Sequence, residues 1–582
     1  MPARTGTAHV VTTTRKYKDQ VYRTHLLRRS YREGGRVKNE TLGNLSHLPD
    51  DLIEIIRRSL KGETYVPLGE AFEITRSRPH GHVQAVALAM QRLGLASLIA
   101  SQPSVERDRV LAMVASRIVA PHTKLATTRC WHTTTLADDF AVASCDEDGL
   151  YAAMDWLLAR QERIEQKLAA RHLQDGGLVL YDLSSSYFEG STCPLARLGY
   201  SRDGKKGLLQ VNYGLLTDVR GCPVAVSLVV SIREGNTADS TTFMPAVHKV
   251  REDFGTRHMV MVGDRGMVSQ KAIDELREID GVGWITALKS ASMRALVEQG
   301  QLQMGLFDER NLLELSSPDY PGERLVACRN PQLAKLRARK REELLVATER
   351  NLDKIVARVA AAKLAGRDAI GLAVGKIINQ YKMAKHFDLD IDDAAFAWRR
   401  KSEAIAAEAA LDGLYIIRTS LAREQMQAAD CVRNYKSLAN VERAFRSLKT
   451  IDLKVRPIHH RTADRVRAHI FLCMLAYYVE WHMREAWREL MFADTEQQAK
   501  FTRDPVAPAT RSASAQAKAT THALIDGTAA HSFATLMAEL ATIVRNTCRT
   551  PHAGPDAPTF EITTTARPKQ QRALALVQTL QP

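Results

Sequence analysis

"GGLVLYDLSSSYFEG" (residues 176–190) decides how this chain is read. "LVLY" (178–181) is a short apolar run bounded by two glycines and a serine-rich stretch, the pattern of a buried strand. It leads directly to Asp182. Two more apolar runs follow, "LLQVNYGLLTD" (208–218) and "CPVAVSLVVSI" (222–232), joined by a turn at "DVRGC" (218–222). A helix is expected at 239–253. "RHMVMVGDRGM" (257–267) is another strand, ending at Asp264. "SQKAIDELREI" (269–279) reads as a helix and "VGWITALK" (282–289) as a strand.

The order is β-β-β-α-β-α-β: a three-strand meander followed by βα units. That is an α/β class chain with a mixed sheet and helices against it, the profile of a ribonuclease-H-like core. Working outward, 1–75 reads as a basic N-terminal module. It has strands around "EGGR" (33–36), whose Gly34-Gly35 pair suits a tight turn, then a helix in "LPDDLIEIIRRSLKG" (48–62). Residues 76–175 read as a helical domain, and 176–290 as the first part of the core. Residues 291–430 read as an inserted, mostly-β domain, with "RLVACR" and "LDGLYIIRTS" around a charged helix at 331–366. Residues 431–490 return to the core as helices. Residues 491–582 read as a C-terminal linker (502–520) and tail, with short helices at 531–546 and 570–580.

The 582 residues carry 81 Lys+Arg against 66 Asp+Glu, a net +15. Residues 1–40 hold ten basic and three acidic residues, and 431–467 again ten and three. These two segments contribute +7 each, leaving +1 for the rest of the chain. Such concentration suits phosphate-contacting surfaces, nucleic acid first. The eight cysteines form no C-x-x-C pair, which argues against a zinc ribbon or a redox motif and suits a reducing cytosol. The start has no signal-peptide core. "IFLCMLAYYV" (470–479) is too short to span a bilayer and reads as a buried helix.

In an α/β sheet, side chains at strand ends line the crevice where ligands bind. Asp182 and Asp264 hold such places, so their carboxylates can converge. A third carboxylate, Glu442, lies in "NYKSLANVERAFRSLK" (434–449). Read as one helix, this stretch puts Tyr435, Leu438, Glu442, Arg446 and Lys449 on one stripe beside an apolar stripe of Val441, Phe445 and Leu448. A Glu442–Arg446 ion pair on a solvated face fits this geometry as well as chemistry does. Two Asp and one Glu suffice for Mg²⁺, a hard cation that prefers oxygen ligands. Two such ions can activate an attacking oxygen and stabilise a leaving one in phosphodiester cleavage. Arg265, beside Asp264, reads equally as a phosphate contact or a surface ion pair. "GYSRDGKKGLLQ" (199–210) lacks nucleotide-loop spacing; it is either a loop over DNA or a plain hairpin. His459 and His460, followed by Arg461, Arg465 and Arg467, could touch a DNA backbone. Trp284 and Trp481 read as core. The charged helix at 335–363 reads as a solvated face, though its "KLRARKR" (335–341) could lie along DNA.

Asp182, Asp264 and Glu442, in these contexts, resemble the D, D and E of bacterial insertion-sequence DDE transposases. The similarity is to the superfamily with the signature Y-x2-R-x3-E-x6-K, the insertion sequence four type. Tyr435, Glu442 and Lys449 fit its spacing; Leu438 stands where it has arginine. The resemblance covers about 176–490. It implies Asp182, Asp264 and Glu442 as catalytic metal ligands for two Mg²⁺, with Mn²⁺ as a substitute. It also implies DNA contacts at Tyr435 and Lys449, with Arg443 or Arg446 replacing the missing arginine. The implied partners are double-stranded DNA, as element inverted repeats and target, and a second copy of the chain in a homodimer, with no membrane. The implied setting is the bacterial cytoplasm and its nucleoid. The implied reaction is cut-and-paste transposition: water cuts at the element ends, then the freed 3′-OH attacks target DNA. A structure-specific nuclease of the same fold and an inactive DNA-binding remnant are the alternatives.

Overall fold

The computed structural model describes the chain except residues 1–5, 19, 66, 68–70, 203, 206, 230–240, 304, 306, 552–555 and 582. The end of the expected third core strand and the start of the helix expected at 239 lie outside the described residues. Two compact units are present: 1–77 with 545–563, and 78–544 with 564–582.

The first unit holds an antiparallel sheet of Thr7–Tyr17, Gln20–Glu33 and Arg36–Asn44. Gly34 and Gly35, at φ 61° and 80°, make the tight turn their sequence predicts. Helix Asp50–Ser59 follows, with Asp50 and Asp51 in its first turn and Arg57 and Arg58 in its last, each sign at the helix end that favours it. Glu73–Pro79 lies in a second sheet with Val544–Arg549 and Thr559–Thr563.

The second unit is built on a nine-stranded sheet. From one side the strands run Pro223–Val229, Leu209–Thr217, Gly177–Tyr187, Met259–Gly263, Val282–Ala287, Leu414–Thr419, Arg324–Arg329 and Leu312–Leu315, with the two-residue strand Arg197–Leu198 also paired to Leu209–Thr217. Only Met259–Gly263 runs parallel to its neighbours, Gly177–Tyr187 and Val282–Ala287. Both faces are covered, and the strand period of two sorts the side chains between them. Val179, Tyr181, Met259, Met261 and Trp284 pack on one face with Phe243, Val247 and Ile273. Leu180, Val260, Val262 and Ile285 pack on the other, in the main core.

That main core is helical. Helix Ala463–Ala486 is buried along most of its length, as "IFLCMLAYYV" predicts for an element apolar all round. Val105–Val119 and Glu147–Leu158 pack against it.

Two expectations need correction. The 291–430 segment is not mostly β: Pro331–Ala360 and Arg367–Tyr381 are helices of 30 and 15 residues. Its strands Arg324–Arg329 and Leu414–Thr419 do not form a separate sheet either; they extend the central one. Alternating charge in "KLRARKREELLVATER" serves an exposed helix, whose inner stripe of Leu345, Leu352, Ile355 and Val359 builds its own small core. The 491–582 segment is also folded. Val506, inside the expected linker, is 1% exposed. Ala513–Thr521 is a helix capped by Ser512, and Phe533–Ala541 is one capped by Ser532. Phe533–Ala541 and Pro568–Gln578 pack on Gly81–Arg92. The Ala/Thr/Ser composition masked good helix formers behind good caps.

Candidate active site

Parallel pairing sets Tyr181 opposite Gly263. The next residues on these adjacent strands are Asp182 and Asp264. Asp182 shares the Leu180 face of its strand and Asp264 the Val262 face, so both emerge on the side covered by the main core. The helix bearing Glu442, Leu438–Arg446, packs on that same side against Gly177–Tyr187. Its buried residues are Leu438, Val441, Ala444 and Phe445, and the Phe445 ring meets Tyr213 edge-on at 5.8 Å. Burying a residue such as Val441 or Phe445 contributes roughly 1.5–3 kcal/mol. The apolar stripe thus fixes which way Glu442 faces.

The helix is pinned at one more point. Asn440 Nδ2 donates to the Val219 carbonyl at 2.9 Å, in the turn that joins two core strands. Gly221 in that turn has φ +88°, and a Cβ there would sit 2.9 Å from Asn440 Cβ. A Gly221→Val substitution is therefore expected to lower the melting temperature by several degrees. Thermal melting checks this; an unchanged variant would remove the turn as a support of the helix.

Asp182 is largely buried. Desolvation pushes its carboxyl up to about 7. The Leu183 amide (2.7 Å) and Arg202 oppose the rise, while the Asp264 and Glu442 carboxylates add to it. Asp264 and Glu442, 82 and 260 positions from Asp182 in sequence, thus act on it electrostatically. Asp264 is exposed and accepts a hydrogen bond from Tyr435 Oη at 3.1 Å. Burial, then the Asp264 charge, raises the Tyr435 hydroxyl well above its ordinary value, so it stays a donor.

The expected single helix is broken at Ser437. Tyr435 belongs to Ala428–Lys436, and Ser437 Oγ bonds back to the Arg433 carbonyl at 3.1 Å, a contact that bends helices. The expected polar stripe is split as a result. Glu442, Arg443 and Arg446 are exposed, whereas Leu438 and Lys449 are 9% and 8% exposed. Leu438, where the signature has arginine, is core. No ion pair joins Glu442 to Arg446 among the described residues. Arg265 is exposed, and its backbone amide reaches the Tyr435 hydroxyl. Trp284 and Trp481 are buried, as expected.

Arg202 is the neighbour the sequence did not single out. Its amide donates to Ser185 Oγ at 3.2 Å, which lays its basic loop over the Asp182 strand. The surplus of lysine and glycine around it was the available signal. A strap also emerges from the C-terminal segment: carbonyls of Arg503, Pro505 and Val506 accept from Arg433 and Lys436, bracing the Tyr435 helix.

Converging carboxylates on a mixed α/β sheet, framed by basic residues, define a class of metal-dependent enzyme acting on a phosphate backbone. Residues 189–479 match the transposase DDE domain family, a span that contains Asp264 and Glu442 and begins just beyond Asp182. The chain belongs to this family and is a DNA transposase, an enzyme of metal-dependent DNA cleavage and strand transfer. Residues 10–66 match the N-terminal domain of IS1634 family transposases, which makes it an insertion-sequence transposase. The cryo-EM structure of a piggyBac transposase synaptic complex with hairpin DNA is similar at 8% identity over 73% of this chain and 77% of that chain, with a TM-score of 0.33. No curated protein matches the chain. Among the described residues no helix is long and apolar enough to cross a membrane.

Proposed function

We propose that Asp182, Asp264 and Glu442 are the catalytic carboxylates of cut-and-paste transposition, held on a ribonuclease-H-like core. The observation that supports this is the placement of the three toward one sheet face, with Asp264 and Glu442 both acting on the Asp182 charge. The strand order, with the meander on one side of Gly177–Tyr187 and two parallel neighbours on the other, supports the core assignment.

The donor set fits a hard divalent cation. It is all oxygen, with no His or Cys among the three. Asp182, Asp264 and Glu442 would hold two Mg²⁺, or Mn²⁺ in their place. Such ions, when bound, lower the pKa of an attacking water and stabilise a leaving oxygen. The chain's own residues do the rest. Tyr435 orients Asp264 through its hydroxyl. Arg443, Arg446 and Arg265 hold phosphates of the bound strand, and Arg202 offsets negative charge at Asp182. Lys449 is a support of the helix end, being buried. In the N-terminal module, exposed Arg15, Lys16 and Lys18 beside exposed Tyr17 and Tyr22 suit an element inverted repeat. The reading includes a homodimer pairing two ends, acting on cytoplasmic, nucleoid-associated DNA.

Joining a pre-cleaved element end to target DNA tests it. Purified protein with Mg²⁺ is expected to produce strand-transfer products. Cleavage without transfer would reassign the chain to a structure-specific nuclease.

A further inference from the structure

A second constellation lies behind the Glu442 helix and has no part in the reading above. His172 ends helix Gln161–His172, Cys222 precedes strand Pro223–Val229, and His482 sits on helix Ala463–Ala486. Each offers one ligand atom, and these atoms all lie within 4.8 Å of one another, the one such group of three among the described residues. Cys222 Sγ is 3.8 Å from His482 Nε2, and the His172 and His482 rings are 5.5 Å apart. Cys222 and His482 are buried and His172 is partly exposed.

We infer that His172, Cys222 and His482 form a three-ligand site for a zinc-class transition-metal ion, separate from the carboxylate site. One thiol and two imidazoles are a borderline-soft set, which selects zinc over Mg²⁺. Tetrahedral zinc, with bonds of about 2.3 Å to sulfur and 2.0–2.1 Å to nitrogen, sets its ligands roughly 3.5 Å apart. The 3.8 Å pair is a few tenths of an ångström from that spacing. Hydrogen bonding alone is a weak reason to gather these groups, because a thiol is a poor donor and a poor acceptor.

The surroundings suit a metal. Burial keeps both imidazoles neutral at neutral pH, and the same burial, with Asp218 beside it, pushes the Cys222 thiol well above its ordinary value, so its thiolate forms only as a metal takes the proton's place. On binding, the Cys222 thiol proton leaves to water and the thiolate lone pair goes to the metal. Asp218 accepts from the Cys222 amide at 2.9 Å and fixes the turn, and the Tyr478 hydroxyl lies 3.1 Å from His172 Nε2 as an outer partner. Three protein ligands leave the fourth position for water, on the exposed His172 side.

The position gives the ion a job. Cys222 follows Gly221, whose turn packs on Asn440, half a turn before Glu442. A metal here would staple that turn to the helical layer and stiffen the base on which Glu442 stands.

Co²⁺ titration of the full chain tests this. One equivalent is expected to produce a thiolate-to-metal charge-transfer band, which Zn²⁺ then bleaches. The band should vanish in Cys222→Ala, weaken in His482→Asn, and persist in an Asp182→Asn, Glu442→Gln double variant that disables the carboxylate site. Zn²⁺ should raise the melting temperature of the native chain and leave that of Cys222→Ala unchanged. Absence of the band in the native chain, a measurement that needs no variant, would overturn the proposal. So would a band that survives in Cys222→Ala.

Discussion

Replacing Glu442 with glutamine is expected to lower DNA cleavage by roughly 10³-fold while leaving DNA affinity within about twofold. The substitution keeps the side chain's size and removes its charge. Glu442 is exposed, and its helix is held by Val441, Ala444, Phe445 and the Asn440–Val219 contact, none of which involves the carboxylate. The fold and the basic surface formed by Arg443 and Arg446 should therefore survive. What changes is the third carboxylate facing Asp182 and Asp264, and with it the ability to hold a cation beside the scissile phosphate. Gel shift with an element end and cleavage of the same end in Mg²⁺ separate the two effects. Cleavage retained within tenfold would remove Glu442 from the site, and loss of binding in parallel with cleavage would recast it as a fold element.

Asp264 was legible because it follows directly on an apolar strand; Asp182 also closes an apolar run, but its strand continues to Tyr187, so it sits at mid-strand and not at the strand end its sequence suggests. Their pairing was legible only as a possibility. It took the parallel register of Tyr181 with Gly263 to set them side by side. The Tyr435–Lys449 spacing was visible, but its geometry was not. A stripe drawn on a continuous helix ignores Ser437, whose hydroxyl bonds back to the Arg433 carbonyl, and the π-turn Ser447–Ile451, so Lys449, expected on the DNA-facing stripe, is buried. Arg202 was hidden for a different reason: a loop's position over a sheet is a tertiary fact with no local periodicity. The same holds for His172, Cys222 and His482. They lie 50 and 260 residues apart, outside any ligand-spacing motif, and meet only because three elements cross there. The C-terminal segment misled by composition, since alanine, threonine and serine serve linkers and capped helices alike.

Divalent-cation affinity of the carboxylate site is expected to rise about tenfold per pH unit up to about pH 7 and to level off above it. The cause is Asp182. Its burial, with Asp264 and Glu442 nearby, pushes its carboxyl up to about 7, so below that pH a proton occupies the oxygen a cation needs. Each bound cation must then displace one proton, which gives the tenfold slope; above pH 7 the carboxylate is already free. The sign for the metal-free fold is the reverse. Folding raises this group above the ordinary carboxylate range, so the native state holds the proton more tightly than the unfolded chain does. Metal-free stability therefore falls as pH rises from about 4 through 7, and cation binding restores what ionisation removes. Calorimetric titration with Mn²⁺ between pH 5.5 and 8.5 reads the slope directly. Two variants assign it. Asp182→Asn should bind weakly with no break near pH 7. Arg202→Ala removes the guanidinium that favours the ionised form, so its break should move to higher pH. An affinity that stays flat between pH 5.5 and 7, or an unchanged slope in Asp182→Asn, would show that Asp182 is not the group exchanging a proton for the metal.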